Sequence, residues 1–247
     1  MENSFLKDAI DRIVDLATPF TLETRDGHRF CSADLVEVKP EVPLPVRYMV
    51  DTLEALVKLI RTEGVAQAPL LYVRVDSARR VIVDSTYTGR DYAQYSRLPL
   101  YGAVSDVPSI TTNQSMPQEQ AVVELQSLYA VTEDRDYLLA LLSRIDVNQG
   151  VSSVDNGISQ EVSVRTGAVL KEQQIVQPIV HLQPYRTFLE VEQPASDFLL
   201  RLDKNGRPAL YEADGGAWKL EAKRNIAAYL GEQLADLIEH GNVVVMI

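Results

Sequence analysis

Glu212 and Asp214 stand one residue apart in YEADGGAWK, with Lys219 beyond a Gly-Gly break, and this is the most chemically suggestive spacing in the 247-residue chain. Alternate positions on a strand share a face. Two carboxylates so placed can hold a divalent cation while a lysine neutralises charge on a phosphate, as in a metal-dependent nuclease or phosphodiesterase. Asp214 with Glu221-Ala222-Lys223 also imitates the acidic and Glu-x-Lys parts of a restriction-type nuclease motif, although here that triplet falls in an expected helix rather than a strand. The plainer use of Asp214 is to cap that helix, since acids satisfy free amides at helix starts.

Other polar groups crowd the same run. Arg186, Glu190, Glu192 and Arg201 lie among residues that read as core, on what look like neighbouring short strands. They suit a cross-strand ion-pair network, or an anion site made by the arginines alone; the structural network is the preferred reading. Gly215-Gly216 before a helix can cradle a phosphate on backbone amides, but the P-loop pattern is missing. The better expectation is a turn with positive φ that seats Trp218, the only tryptophan, against a sheet. If Trp218 is core, Trp218→Ala should cost ~3–5 kcal/mol. Asp155-Asn156-Gly157 with Ser159-Gln160 is either a ligand loop or, preferably, an ordinary tight turn. Tyr92, Tyr95 and Tyr101 fall in a tyrosine-rich stretch suited to base stacking or to a protein interface. The charge balance favours the interface.

That balance is a formal net charge of −11, which argues against broad binding to a phosphate backbone. The only local basic clusters are Arg79-Arg80 and Lys219/Lys223/Arg224. One cysteine, Cys31, leaves no internal disulfide and fits a reducing compartment. Three scattered histidines add neither a zinc set nor a Ser-His-Asp or Cys-His constellation. No motif implies a cofactor. No apolar run approaches the ~20 residues of a membrane span, and the mixed-charge N-terminus does not read as a signal peptide.

The elements expected to position these groups begin with an amphipathic helix over 4–17 and a hairpin around Arg25-Asp26-Gly27. Lys39–Pro45, with three prolines, must be extended. A helix is expected over Tyr48–Glu63, ended by Gly64, followed by paired strands Leu70–Val75 and Arg80–Thr86. From Tyr87 to Pro117 the pattern dissolves into a loop, a subunit-packing arm or unresolved strands. Helices are expected over Gln118–Tyr129 and Asp134–Ile145, the second capped near Thr132. Then come a long hairpin, Gly157–Thr166 with Val169–Leu182; short strands Phe188–Val191 and Phe198–Leu202; and a Lys204-Asn205-Gly206 turn into Pro208–Ala213. An unbroken helix Ala217–Glu239 presents Trp218, Ile226, Tyr229, Leu230, Leu234, Leu237 and Ile238 on one stripe. Gly241-Asn242 stops it, and Val243–Ile247 is a terminal strand costly to leave unpaired. The order lacks βαβ alternation, so the fold class is α+β: antiparallel sheets and hairpins with four to five helices, a long C-terminal helix and a terminal strand. One protein over 1–247 is expected, with two lobes, 1–86 and 118–247, joined by segment 87–117.

The strings PYRTFLEVEQPASDFLLRL, LYEADGGAWKLEA and DNGISQEVSVRTG together resemble the YfdQ-like proteins, a group encoded by tailed phages and prophages, most closely over Gln118–Leu230. The resemblance implies a phage origin and a bacterial cytoplasmic setting, and carries over no catalytic residue. The expected function is a non-enzymatic early protein that binds as a homo-oligomer. Its target would be a host-defence component, a recombination or replication partner, or a small nucleotide signal. The alternatives are the metal-dependent enzyme using Glu212 and Asp214 and a single-strand DNA-binding recombination accessory.

Overall fold

The computed structural model describes residues 2–17, 21–25, 28–31, 46–86, 97–144, 160–166, 170–203 and 205–247. The chain divides into two compact units, Met1–Leu44 and Pro45–Ile247. In the first, α1 (Glu2–Ala17) carries an apolar stripe whose Leu6, Ile10, Ile13 and Val14 are all exposed. A short antiparallel hairpin follows, β1 (Thr21–Glu23) with β2 (Arg29–Cys31), pairing Leu22 with Phe30 around the expected turn. Segment 39–45 and the Asp155-Asn156-Gly157 loop lie outside the described residues.

The second unit is α+β, as expected, and holds two cores. The first is a five-stranded sheet in the order β12-β4-β5-β6-β3. β4 (Leu71–Ser77), β5 (Arg80–Thr86) and β6 (Arg97–Val104) form an antiparallel meander. β3 (Tyr48–Val50) adds parallel to β6, and β12 (Val243–Met246) adds parallel to β4. Alternation along the strands aims Leu71, Val73, Val75, Val81, Val83, Tyr101 and Ala103 at one face. Against that face pack Leu53, Leu56, Val57 and Ile60 of α2 (Leu53–Leu59) and the turn after it, and Ile226 and Leu230 of α6 (Ala217–Gln233).

The second core lies under α4 (Gln118–Leu128) and α5 (Glu133–Arg144). Their Leu125, Leu138, Leu141 and Leu142 cover Val180, Leu182, Phe198, Leu200 and Leu210. Those residues come from a three-stranded antiparallel sheet, β11-β10-β9, made of β9 (Ile179–Leu182), β10 (Ser196–Leu202) and β11 (Pro208–Glu212). A separate hairpin pairs β7 (Gln160–Thr166) with β8 (Leu170–Val176).

Several local expectations are met. The Thr132 hydroxyl accepts from Arg135 N at 3.1 Å at the start of α5. The turn after β10 is closed by Asp203, whose carboxylate takes Asn205 N and Arg207 N, with Gly206 at φ 72°.

Others are corrected. Tyr48–Val50 is a strand, not the first turn of a helix. Thr52 is extended and its hydroxyl accepts from Ala55 N, which sets the helix start at Leu53. Gly64 does not stop that helix; it sits buried in a π-helical turn, Ile60–Gly64, that continues into α3 (Val65–Gln67). The stretch after Tyr87 contains β6, hidden in the sequence because Pro99 interrupts its pattern at a register shift against β5. The long strand to Leu182 breaks at Pro178, which cannot donate to a ladder, so β8 and β9 belong to different sheets. Phe188–Val191 is a turn rather than a strand. The final helix breaks at Leu234 (φ −116°), and α7 (Ala235–Glu239) follows.

The lobe boundary also moves. Segment 87–117 does not join two lobes: β6 lies inside the first sheet, and β12, from the far end of the chain, pairs with β4. That pairing also satisfies one side of the terminal strand within the chain.

Candidate functional site

The polar run beginning at Pro184 lies where the two cores meet. Phe188 belongs to the first core and Phe198 to the second. Between them Arg186 is only 2% exposed. Its Nη1 donates to Glu212 Oε1 at 3.2 Å, and its Nη2 donates to the Pro194 carbonyl at 3.3 Å and to the Ser196 hydroxyl. The guanidinium stacks on the Trp218 ring, 3.9 Å from its centroid. Burial pushes the Arg186 pKa down to about 10, opposed by the charges of Glu212 and Asp214. The cation persists at neutral pH because it is hydrogen-bonded as well as paired.

Asp214 anchors the other end of this network. Its Oδ1 accepts from Gly216 N at 2.8 Å, and its Oδ2 from Trp218 N at 3.2 Å and the Ser196 hydroxyl at 2.7 Å. Burial works to raise its pKa, but those three hydrogen bonds and the Arg186 charge outweigh it and hold the carboxyl below the usual carboxylate range. Gly215 and Gly216 both have positive φ, as the turn requires.

The network reaches the first sheet through its β4–β5 turn. The Thr187 hydroxyl donates to the Ala78 carbonyl, and Arg79 Nε donates to the Arg186 carbonyl at 3.2 Å. Gln193 holds the loop itself, accepting from Arg186 N and Thr187 N and donating to the Phe188 and Val191 carbonyls. Gln193, Ser196 and Thr187 were not singled out in the sequence, and Arg79 only as half of a basic pair. The available signal was a string of polar residues embedded in an apolar run, which marks burial without naming partners.

The expected site residues scatter. Glu190 is not part of the Arg186 network: its carboxylate accepts from Leu53 N at 2.7 Å and serves the start of α2. Glu192 contributes its backbone carbonyl to Asn225. Arg201 lies on the opposite face of β10, lining an open groove with Leu199 and Tyr211. The cross-strand network of Arg186, Glu190, Glu192 and Arg201 therefore does not form, because only Arg186 points between the cores. Tyr101 is 5% exposed in the first core, with its hydroxyl 3.3 Å from Glu63 Oε2, so it is a packing residue rather than a stacking surface. Tyr92 and Tyr95 lie outside the described residues. Trp218 is half-buried beside Arg186, one turn before Ala222 in line with the buried stripe Ala222, Ile226 and Leu230 of α6, so it is a partly covered end of that stripe rather than a full core residue. Lys219 is exposed, its Nζ 5.8 Å from the Trp218 ring centroid.

What the fold does bring together is the two basic clusters. Arg79, Lys219 and Lys223 line one open groove of about 390 Å³ with Asp76 and Trp218. The acids do not gather in the same way. Among the described residues no three histidine, cysteine, aspartate or glutamate side chains are placed to hold a metal ion, and no helix is long and apolar enough to cross a membrane.

Comparison with known proteins finds no matching family model, no matching curated protein and no matching solved structure.

Proposed function

We propose that this chain is a phage-encoded protein of the YfdQ-like group that acts by binding, as a homo-oligomer in the bacterial cytoplasm, and catalyses no reaction of its own. The observation that carries this reading is the use made of Glu212 and Asp214. The first neutralises a buried arginine and the second holds the start of α6, so both acids are already committed to the fold. An acid that must leave its partner to take a metal loses the stability it was providing. Self-association is supported by the exposed apolar stripe of α1, a large apolar surface for a helix to present to water.

The partner is a host-defence component, a phage recombination or replication protein, or a small nucleotide. Native mass spectrometry of gently purified protein tests the reading. A defined oligomer, or one carrying a protein or small-molecule mass, is the expected result. A bare monomer that cleaves DNA, RNA or a cyclic dinucleotide with Mg²⁺, and stops doing so as Asp214→Asn, would overturn it in favour of an enzyme.

A further inference from the structure

We propose that the groove between the β4–β5 turn and the first turns of α6 binds a small phosphorylated nucleotide, with Arg79, Lys219 and Lys223 on its phosphates and Trp218 beside its base. The inference rests on the binding reading above and gives it a location and a ligand class.

Three cations from two distant parts of the chain converge there. Arg79 is fixed in place by the carbonyls of Arg186 and Pro108, at 3.2 and 3.1 Å. Both acceptors are neutral, so the guanidinium is oriented without being neutralised. Lys219 and Lys223 are four residues apart on α6 and therefore share a face. Among the described residues no carboxylate pairs with any of the three. The one acid lining the groove, Asp76, is turned to Arg74 at 3.7 Å. In a chain of net charge −11, an unneutralised cluster of this kind is a local reversal of sign that draws anions.

Trp218 supplies the rest of the specificity. The Arg186 guanidinium stacked on the indole fixes the ring beside the groove. The half-buried ring itself lines the groove, so part of the indole surface faces an incoming ligand. Aromatic rings stack on nucleobases, and arginine and lysine take phosphate oxygens through charge-assisted bonds. The volume of about 390 Å³ falls in the range of small-molecule sites.

Trp218 is also the only tryptophan, so its fluorescence reports on this groove alone. ADP, adenosine and inorganic pyrophosphate are titrated separately, with equilibrium dialysis as the second readout. The comparison protein is the double variant Lys219→Glu/Lys223→Glu; far-ultraviolet circular dichroism checks that it is folded. ADP is expected to saturate with a Kd below about 1 mM, and the double variant to bind at least about tenfold more weakly. Adenosine should not saturate in that range, and pyrophosphate should bind more weakly than ADP. No saturation by ADP, or equal affinity in the folded double variant, overturns the site. Pyrophosphate as tight as ADP overturns the nucleotide assignment. ADP recovered hydrolysed would bring down the binding reading itself, whereas failure of ADP to bind leaves oligomer formation and partner capture standing.

Discussion

Arg186 and Glu212 differ in what each loses when the other is removed. Arg186 is almost fully buried, while the Glu212 side chain keeps 30% exposure and can turn to water. Removing the acid strands a buried cation; removing the cation releases an anion that can rehydrate. Glu212→Gln and Arg186→Met should both lower stability in urea denaturation, and the double variant should fall short of their sum by about 1 to 3 kcal/mol. Additivity would mean the pair is not coupled. Asp214 gives a pH signature. Its folded pKa is depressed, so its contribution is complete above the unfolded carboxylate value of about 3.9 and is lost as pH falls through the folded value. Asp214→Asn keeps a capping side chain but removes the titration, so its stability should decline less between neutral pH and about pH 3 than that of the unaltered protein. Trp218→Ala should cost about 2 kcal/mol, the loss of a desolvated cation–π contact rather than of a core side chain. A melting curve separates this from the ~3–5 kcal/mol expected of a buried tryptophan.

At the scale of elements, the edge strand β3 depends on a close approach. A Cβ at Gly102 would lie 2.8 Å from the Met49 side chain and 3.0 Å from the Val81 carbonyl oxygen. The Met49 side chain is part-exposed and can yield, but the carbonyl belongs to the backbone of the neighbouring strand. Gly102→Ala should therefore displace β3 at a cost of about 1 to 3 kcal/mol. Hydrogen exchange at Tyr48–Val50 would show it, and unchanged protection there would contradict the packing described. Most elements were legible in the sequence because their signals are local. Thr132 caps α5 three residues away from the amide it serves, and the Asp203–Arg207 turn is closed by its own side chain. β3 and β6 were hidden for the opposite reason. A three-residue strand beside a helix cap shares that helix's apolar residues, and a proline inside β6 breaks the period that would have revealed it.

At the scale of the whole molecule, the chain separates at Leu44/Pro45, and a unit with its own core keeps its stability alone. A chain starting at Pro45 should melt at the midpoint of the corresponding transition in the full chain; a lower midpoint would mean that residues 1–44 contribute to its core. Within that second unit the order of elements along the chain does not follow the order of packing. α6 and β12 return past α4, α5 and the second sheet to complete the first core.

The sequence by itself determined the fold class, the helices α4 and α5, the Gly215-Gly216 turn, the role of Asp214 at the start of α6, and the location of the polar run that binds the cores together. Each rests on interactions within a few residues or on periodicity that needs no partner. Only the tertiary structure decided which acid neutralises Arg186, which arginine and lysines share a groove, and that Tyr101 is packed inside. Arg79 donates to a carbonyl 107 residues away, and Glu212 sits 26 residues beyond the arginine it serves. Burying a charge demands a partner, but any acid of suitable reach can answer that demand. The choice is made by how the two cores meet, which no local pattern encodes.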